Sequence, residues 1–377
     1  MQIGFEAKRF FTNYTGLGNY ARFVVNALSE FVPENQYTLY SPKTRKHPEV
    51  DAIVARSNVK VVEPSGGYRF LKGLWRSWGV SSDRSIQNLS IYHGLSQELP
   101  LGLPSHVRKV VTVHDLIYIR FPQFYNPIDA TIYKAKAKAA CRAADKIIAI
   151  SNQTADDLVE FLKVDKAKIE VVYQGCHPIF KRKVKDEEKS SVRIKYKLPD
   201  EFILTVGTIE ERKNVKLLVK ALALLPEGDR LPVVMAGRAT DYKKEVVQCA
   251  TENNVLDKII FLHDASFQDF PAIYQLAKVF VYPSLFEGFG IPLVEAIESG
   301  IPVITSTGSC FRESAGPGAL YIDPSREDAL AAQLTKVLSD TRLRKKMIEE
   351  SFQFVELFQP KIIANKFQTV YSGLKNS

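Results

Sequence analysis

Of the 377 residues only four are cysteine, three methionine and two tryptophan. The cysteines, Cys141, Cys176, Cys249 and Cys310, are far apart, and none forms a CxxC pair. Thiols scattered in this way exclude a disulfide framework and read as reduced, cytosolic residues. The six histidines are equally dispersed and no HExxH spacing occurs, so no tightly bound metal is expected. No apolar run is long enough to span a bilayer. The opening MQIGFEAKRF leads straight into a strand-like segment without an apolar signal region. Secretion and membrane insertion are therefore not expected, and a cytoplasmic location is.

What is present is the composition of a soluble globular chain, 45% hydrophobic and 25% charged, at a length that points to two domains. The formal charge of +9 calls for an explanation. No nucleic-acid-binding motif accompanies it. An anionic lipid surface, a phosphorylated substrate or merely solvated lysines would each fit.

Along the chain, apolar runs alternate with stretches of helical periodicity. Residues 2 to 7 read as a strand, followed by a loop ending in Thr15-Gly16-Leu17-Gly18-Asn19 and a helix from Tyr20 to Phe31. Strand, glycine loop and helix are the parts of a turn that approaches phosphate, although a simple tight turn explains two glycines as well. Between Tyr68 and Gly79, Leu71, Leu74, Trp75 and Trp78 share one helical face while Arg69, Lys72 and Arg76 line another. Such a helix either lies on a membrane surface or packs its tryptophans on its own sheet. Two strands, Ser90 to Gly94 and Lys109 to His114, each end in histidine, where side chains of an open parallel sheet face the ligand crevice. A helix from about Ile128 to Asp145, a strand at 146–150 and a Ser151 N-cap follow. Lys181 to Lys197 carries eight basic and three acidic residues and reads as the interdomain linker. The strand–helix alternation then restarts, implying a second parallel α/β domain.

The sharpest stretch is Phe280 to Gly300, FVYPSLFEGFGIPLVEAIESG. A buried strand (Val279 to Tyr282) ends at Pro283-Ser284. The turn Glu287-Gly288-Phe289-Gly290 follows, and Pro292 opens a helix, where its missing N–H costs nothing. Strand, glycine turn and helix start make an anion site, because free N–H groups and the positive helix end point the same way. Glu287 and Glu295 bracket it.

The run from Pro283 through Glu287, Gly288, Phe289, Gly290, Pro292 and Glu295, with Gly300-(x)-Pro302-Val303, resembles the signature of the large family of retaining glycosyltransferases that includes sucrose, glycogen and mannosyl transferases. The glycine loop at 16–20, His114-Asp115 and Gly207 through Glu211-Arg212-Lys213-Asn214 extend the resemblance over most of the chain. It implies a GT-B fold, two Rossmann-like parallel-sheet domains facing across a cleft. The acceptor-side domain would be 1–180, the linker 181–199 and the nucleotide-sugar domain 200–358. A terminal helix, 359–377, would pack back on the first domain. The resemblance also implies the following site. Arg212 and Lys213 take the pyrophosphate without a metal or other cofactor. Glu295 accepts the ribose hydroxyls, and Glu287 reaches the transferred sugar. The amides of Gly288, Phe289 and Gly290 lie on that sugar, and those of Leu293 and Val294 near the phosphates. His114 stands beside the donor sugar, and Gly16, Gly18 and Gly207 border the donor. After Ser309-Cys310 the chain departs from the family pattern, with Arg312-Glu313 and Gly316-Pro317 in place of the usual pairs. The implied donor is GDP-mannose or a UDP-hexose, the acceptor a glycan or lipid-linked saccharide. A non-catalytic donor-binding subunit and a nucleotide-sugar epimerase are the alternatives.

Overall fold

The computed structural model describes residues 1–375. The chain divides into two compact units, one formed by residues 1–175 with the chain from Leu357 onward, the other by Cys176–Glu356.

The first unit is built on seven parallel strands: β1 Gln2–Glu6, β2 Gln36–Tyr40, β3 Val59–Val62, β4 Ile91–Gly94, β5 Arg108–Val113, β6 Lys146–Ala149 and β7 Ile169–Val171, in the order β3-β2-β1-β4-β5-β6-β7. The central strands are buried along most of their length, as in a parallel sheet covered on both faces. The order reverses between β1 and β4, the switch point where the carboxyl ends of open sheets take ligands. The second unit repeats the plan with six parallel strands: β8 Ile203–Val206, β9 Val233–Ala236, β10 Ile259–Leu262, β11 Val279–Tyr282, β12 Val303–Ser306 and β13 Leu320–Ile322. Their order is β10-β9-β8-β11-β12-β13, so the switch point lies between β8 and β11.

Helix Pro360–Lys375 packs on helix Gly16–Phe31 of the first unit, burying Ile363, Ala364, Phe367 and Tyr371. The last two residues of the expected terminal helix lie outside the described residues. Tyr371 hydroxyl sits 2.7 Å from His93 Nδ1, while His93 Nε2 meets Thr112 Oγ1 at 2.9 Å. One of the two strand-end histidines is therefore a core residue that ties the terminal helix to the sheet. Burial pushes its pKa down to about 3.

Three expectations need correction. Residues 181–197 are not a linker: Asp186–Tyr196 is a helix of the second unit, packed against helix Phe270–Leu276. Its three acids stand in the first turn and two of its basic residues in the last, an arrangement the helix dipole favours. The glycine loop at 16–20 is itself helical, since the helix begins at Gly16. Gly18 donates its N–H to the Thr15 carbonyl (3.0 Å) and to Asn13 Oδ1 (3.2 Å), and a Cβ there would sit 1.8 Å from the Asn13 carbonyl oxygen. Its glycine identity answers a close backbone approach. Finally, 68–79 is not one helix but a 3₁₀ turn at Gly66–Arg69 and a short helix at Lys72–Ser77.

Candidate active site

In the second unit, the loops leaving β8 and β11 meet at the switch point. The first loop turns at Gly207, whose φ of +146° suits glycine alone, and runs beside the loop after β9: Gly207 N–H bonds the Ala236 carbonyl and Ile209 N–H the Arg238 carbonyl, each at 2.9 Å. Gly237 makes this approach possible, since a Cβ there would lie 2.0 Å from the Gly207 carbonyl oxygen and its φ is +149°. Gly237→Ala should therefore cost about 1–3 kcal/mol and displace the 207–213 loop. Thermal melting together with nucleotide titration reads both effects.

That loop delivers Arg212 and Lys213 to Glu287. Arg212 Nη1 lies 2.7 Å from Glu287 Oε2 and also bonds the Phe286 carbonyl at 2.8 Å, and its Nη2 meets Glu210 Oε1 at 2.6 Å. Lys213 Nζ bonds Glu287 Oε1 and the Tyr282 hydroxyl, both at 2.6 Å, while Tyr282 donates to Glu287 Oε1 at 3.0 Å. Burial alone would raise Glu287, but the two cations outweigh it and hold the carboxyl down near 2. Burial lowers Arg212, and Glu287 with Glu210 more than restores it, so its pKa stands above the ordinary value. For Lys213 burial wins, helped by Arg212 alongside, and the ammonium pKa is lowered. The constellation is two cations and two carboxylates, Glu210 at its edge, in a site where field strength is high.

Glu287 is held from behind as well. Its N–H donates to Ser309 Oγ (3.2 Å), and its carbonyl accepts from Ser309 Oγ (2.9 Å) and Cys310 Sγ (3.2 Å). Past Gly288 and Phe289, Gly290 at φ +79° leads into helix Ile291–Glu298, in which Pro292 occupies the first turn. Leu293 N–H already donates to the Gly290 carbonyl at 2.9 Å, so this amide is not free for phosphate as expected; the first turn tightens and uses it. The Leu293 and Val294 side chains are buried core. Glu295 accepts from the Tyr274 hydroxyl at 3.0 Å. Burial pushes its carboxyl up to about 7, against the opposing pull of Tyr274 and His177.

In the first unit, His114 follows β5. Its Nε2 lies 2.8 Å from the Leu95 carbonyl and must carry the proton, because a carbonyl only accepts. The Tyr20 ring stands edge-on at 4.6 Å. Burial holds the imidazole neutral, its pKa pushed down to about 4. His114 lines a cavity of about 260 Å³ together with Arg9, Glu98, Asp115, Tyr118 and Tyr133. Gln97, at φ +59°, shapes one wall: it donates to the Asp115 carbonyl (3.0 Å) and accepts from the Tyr118 hydroxyl (3.3 Å). Gly16 begins the helix whose Leu17 lines the same cavity.

Residues 14–178 match the model of Glycosyltransferase Family 4, and residues 186–354 that of Glycosyl transferases group 1. The chain belongs to the family 4, group 1 glycosyltransferases. Over 285 residues it is 29% identical to the O-antigen chain mannosyltransferase B of Escherichia coli, an alignment covering 74% of this chain and 72% of that one. With the O-antigen chain mannosyltransferase RfbU of Salmonella typhimurium it shares 28% identity over 235 residues, 62% of each chain, so it spans less than two thirds of that relative. Anabaena Alr3699/HepE, solved in complex with UDP and glucose, matches at a TM-score of 0.74 and 18% identity over 99% of this chain and 100% of that chain. At that identity the likeness shows the fold, which is GT-B.

For this glycosyltransferase the structure brings Arg212, Lys213 and Glu287 into direct contact and places Glu295 within the short helix that follows the Glu287 turn. Gly207 shapes the backbone under Lys213, its Cβ position being 3.3 Å from Lys213 Cε. Reading the sequence missed Tyr282, Tyr274, Ser309 and Gly237. A tyrosine ending a buried strand and a glycine following one, as Gly207 follows β8, were the available signals. Among the described residues no group of three or more His, Cys, Asp or Glu side chains gathers as a metal site would.

Proposed function

We propose that this glycosyltransferase moves a hexose, with retention of configuration, from a nucleoside diphosphate sugar to a glycan or lipid-linked saccharide in cell-surface polysaccharide synthesis. The observation that carries the reading is the Arg212–Lys213–Glu287 cluster at the β8/β11 switch point, with Glu287 buried and the two cations part-buried. GDP-mannose is the proposed donor, on the strength of the two O-antigen mannosyltransferase relatives; UDP-hexose is the alternative, supported by the UDP-bound HepE structure. The proposed location is the cytoplasm, peripheral at the inner face of the membrane.

In the proposed scheme Arg212 and Lys213 meet the leaving diphosphate, Arg as a fork and Lys as a point charge, with no metal involved. The diphosphate takes over part of their charge and frees a Glu287 oxygen for hydroxyls of the transferred sugar. Glu295 accepts the two ribose hydroxyls. The amides of Gly288, Phe289 and Gly290 are proposed to meet the transferred sugar and that of Val294 the phosphate, Gly16 borders the donor, and neutral His114 stands at the sugar. The bond from the anomeric carbon to the phosphate oxygen breaks as the acceptor oxygen bonds on the same face, and the acceptor proton passes to the leaving phosphate oxygen. A trapped glycosyl adduct on Glu287 would count against this same-face substitution.

A thermal-shift series with GDP, UDP and ADP tests the donor. The preferred nucleotide at about 100 times its Kd stabilises the fold by about 2.7 kcal/mol. No shift with any nucleotide would sink the reading. The pH dependence of binding tests Glu295. Its pKa near 7 in the free protein means that a ribose accepted by the carboxylate is bound with proton release. Affinity should therefore rise between pH 6 and 8 and then level off, and Glu295→Gln should flatten the profile.

A further inference from the structure

From Pro64 to Ser82 the chain contains no acidic residue, three cations and six large apolar or aromatic side chains at 68–78. Only one of these six is inside. Trp75 packs into a core cluster with Tyr40, Val80, Ile86 and Tyr92. Beside it Arg76 reaches inward to Glu6 (3.4 Å) and Glu98, and the Ser77 carbonyl accepts from Leu101 N–H at 2.8 Å. These ties fix the segment on its inner side. Its outer side is apolar: Phe70 is 90% exposed and Trp78 57%, and Tyr68, Leu71 and Leu74 are exposed with them. Arg69 and Lys72, also exposed, have no ion-pair partner among the described residues.

Scattered exposed apolar residues need no explanation, but five within the eleven residues 68–78 do. Two features choose its partner. Lysine is depleted at protein interfaces, whereas unpaired Lys and Arg beside apolar groups meet anionic headgroups at a bilayer. Tryptophan and tyrosine, apolar in the ring and polar at one end, match the headgroup–acyl boundary. We propose that residues 66–78 dock on an anionic lipid bilayer, with Phe70, Leu71, Leu74 and Trp78 entering the headgroup–acyl boundary and Arg69 and Lys72 meeting lipid phosphates.

This deepens, and rests on, the membrane-peripheral part of the proposed function. Glu98, which Arg76 holds, lines the His114 cavity and also pairs with Lys136 at 3.3 Å. The docking segment is thereby tied to the cavity wall.

Two tryptophans, one buried and one in the ridge, make the test direct. The full chain is floated with vesicles of phosphatidylcholine alone and of phosphatidylcholine with phosphatidylglycerol, while tryptophan emission is followed. Flotation is expected only with the anionic vesicles, weakened by salt, with a blue-shifted Trp78 emission that brominated lipid quenches. Phe70→Ser/Leu74→Ser/Trp78→Ser should lower partitioning by at least about tenfold. Arg69→Glu/Lys72→Glu should remove the salt-sensitive part. Both variants should keep the wild-type nucleotide thermal shift, which shows that they fold and separates this inference from the donor reading. Wild-type protein left in the bottom fraction overturns the inference, as does equal flotation on neutral vesicles. Self-association through the ridge without flotation, abolished by the triple substitution, would assign it to a second copy instead.

Discussion

Lys213→Ala should lower the rate of sugar transfer by about 10²–10³-fold, the usual loss when one preorganised charge at a developing anion is removed. The fold should survive the change. Glu287 keeps Arg212 at 2.7 Å and the Tyr282 hydroxyl at 3.0 Å, so its carboxylate is not left uncompensated. Lys213→Arg should not rescue the rate. The lysine Nζ is seated between two oxygens at 2.6 Å, and the Gly207 backbone closes off the space beside its chain. A guanidinium would overpack that seat, at a typical cost of 1–3 kcal/mol on general experience with buried sites. Tyr282→Phe is the control: it removes one bond to Lys213 but no charge, and should cost far less. The measurement is nucleoside diphosphate release at saturating acceptor, alongside the melting temperature. An alanine variant within a few-fold of the wild-type rate would remove Lys213 from the leaving group.

Much of this site was legible because parallel sheets write themselves plainly in sequence. Val279 to Tyr282 is apolar on both faces, and the observed β11 has those same ends. Glycines after β8 and before helix Ile291–Glu298 marked the two turns that build the cluster. What the sequence hid depends on order or on contact. Residues 181–197 were judged by their charge content, yet helix Asp186–Tyr196 depends on which end each charge occupies. Gly18 was read toward a ligand because spacing alone cannot reveal the Asn13 carbonyl lying where its Cβ would be. The 68–79 pattern had helical periodicity, but only Trp75 turns inward and the chain breaks at Phe70–Leu71, so periodicity marked a ridge and not a continuous helix. Glu287 looked like a ligand-facing carboxylate; its ion pairs with residues 74 and 75 positions earlier needed the β8/β11 pairing to appear.

Glu287→Ala should be the most destabilising single change in the second unit, by about 3–5 kcal/mol, because it takes from two largely desolvated cations the carboxylate they share. Glu210 still pairs with Arg212, but among the described residues Lys213 keeps only the Tyr282 hydroxyl. Glu287→Gln retains an acceptor and should cost less, and Lys213→Met added to Glu287→Ala should recover part of the loss by removing the stranded charge. The same pairing fixes the acid limb of stability. Glu287 titrates near 2 in the folded protein and near 4.3 when unfolded, so the fold gains stability from it above the unfolded value. About 3 kcal/mol is then lost as pH falls from 4.3 towards 2. Glu295 works in the opposite direction. Its folded value near 7 is raised, so its contribution is fully present below about 4.3 and is lost as pH rises through 7. Denaturant titrations from pH 3 to 8 should show both slopes. In Glu287→Gln the acid limb should flatten while the slope towards neutral pH remains. An unchanged acid limb in that variant would mean that Glu287 is not the paired carboxylate described here.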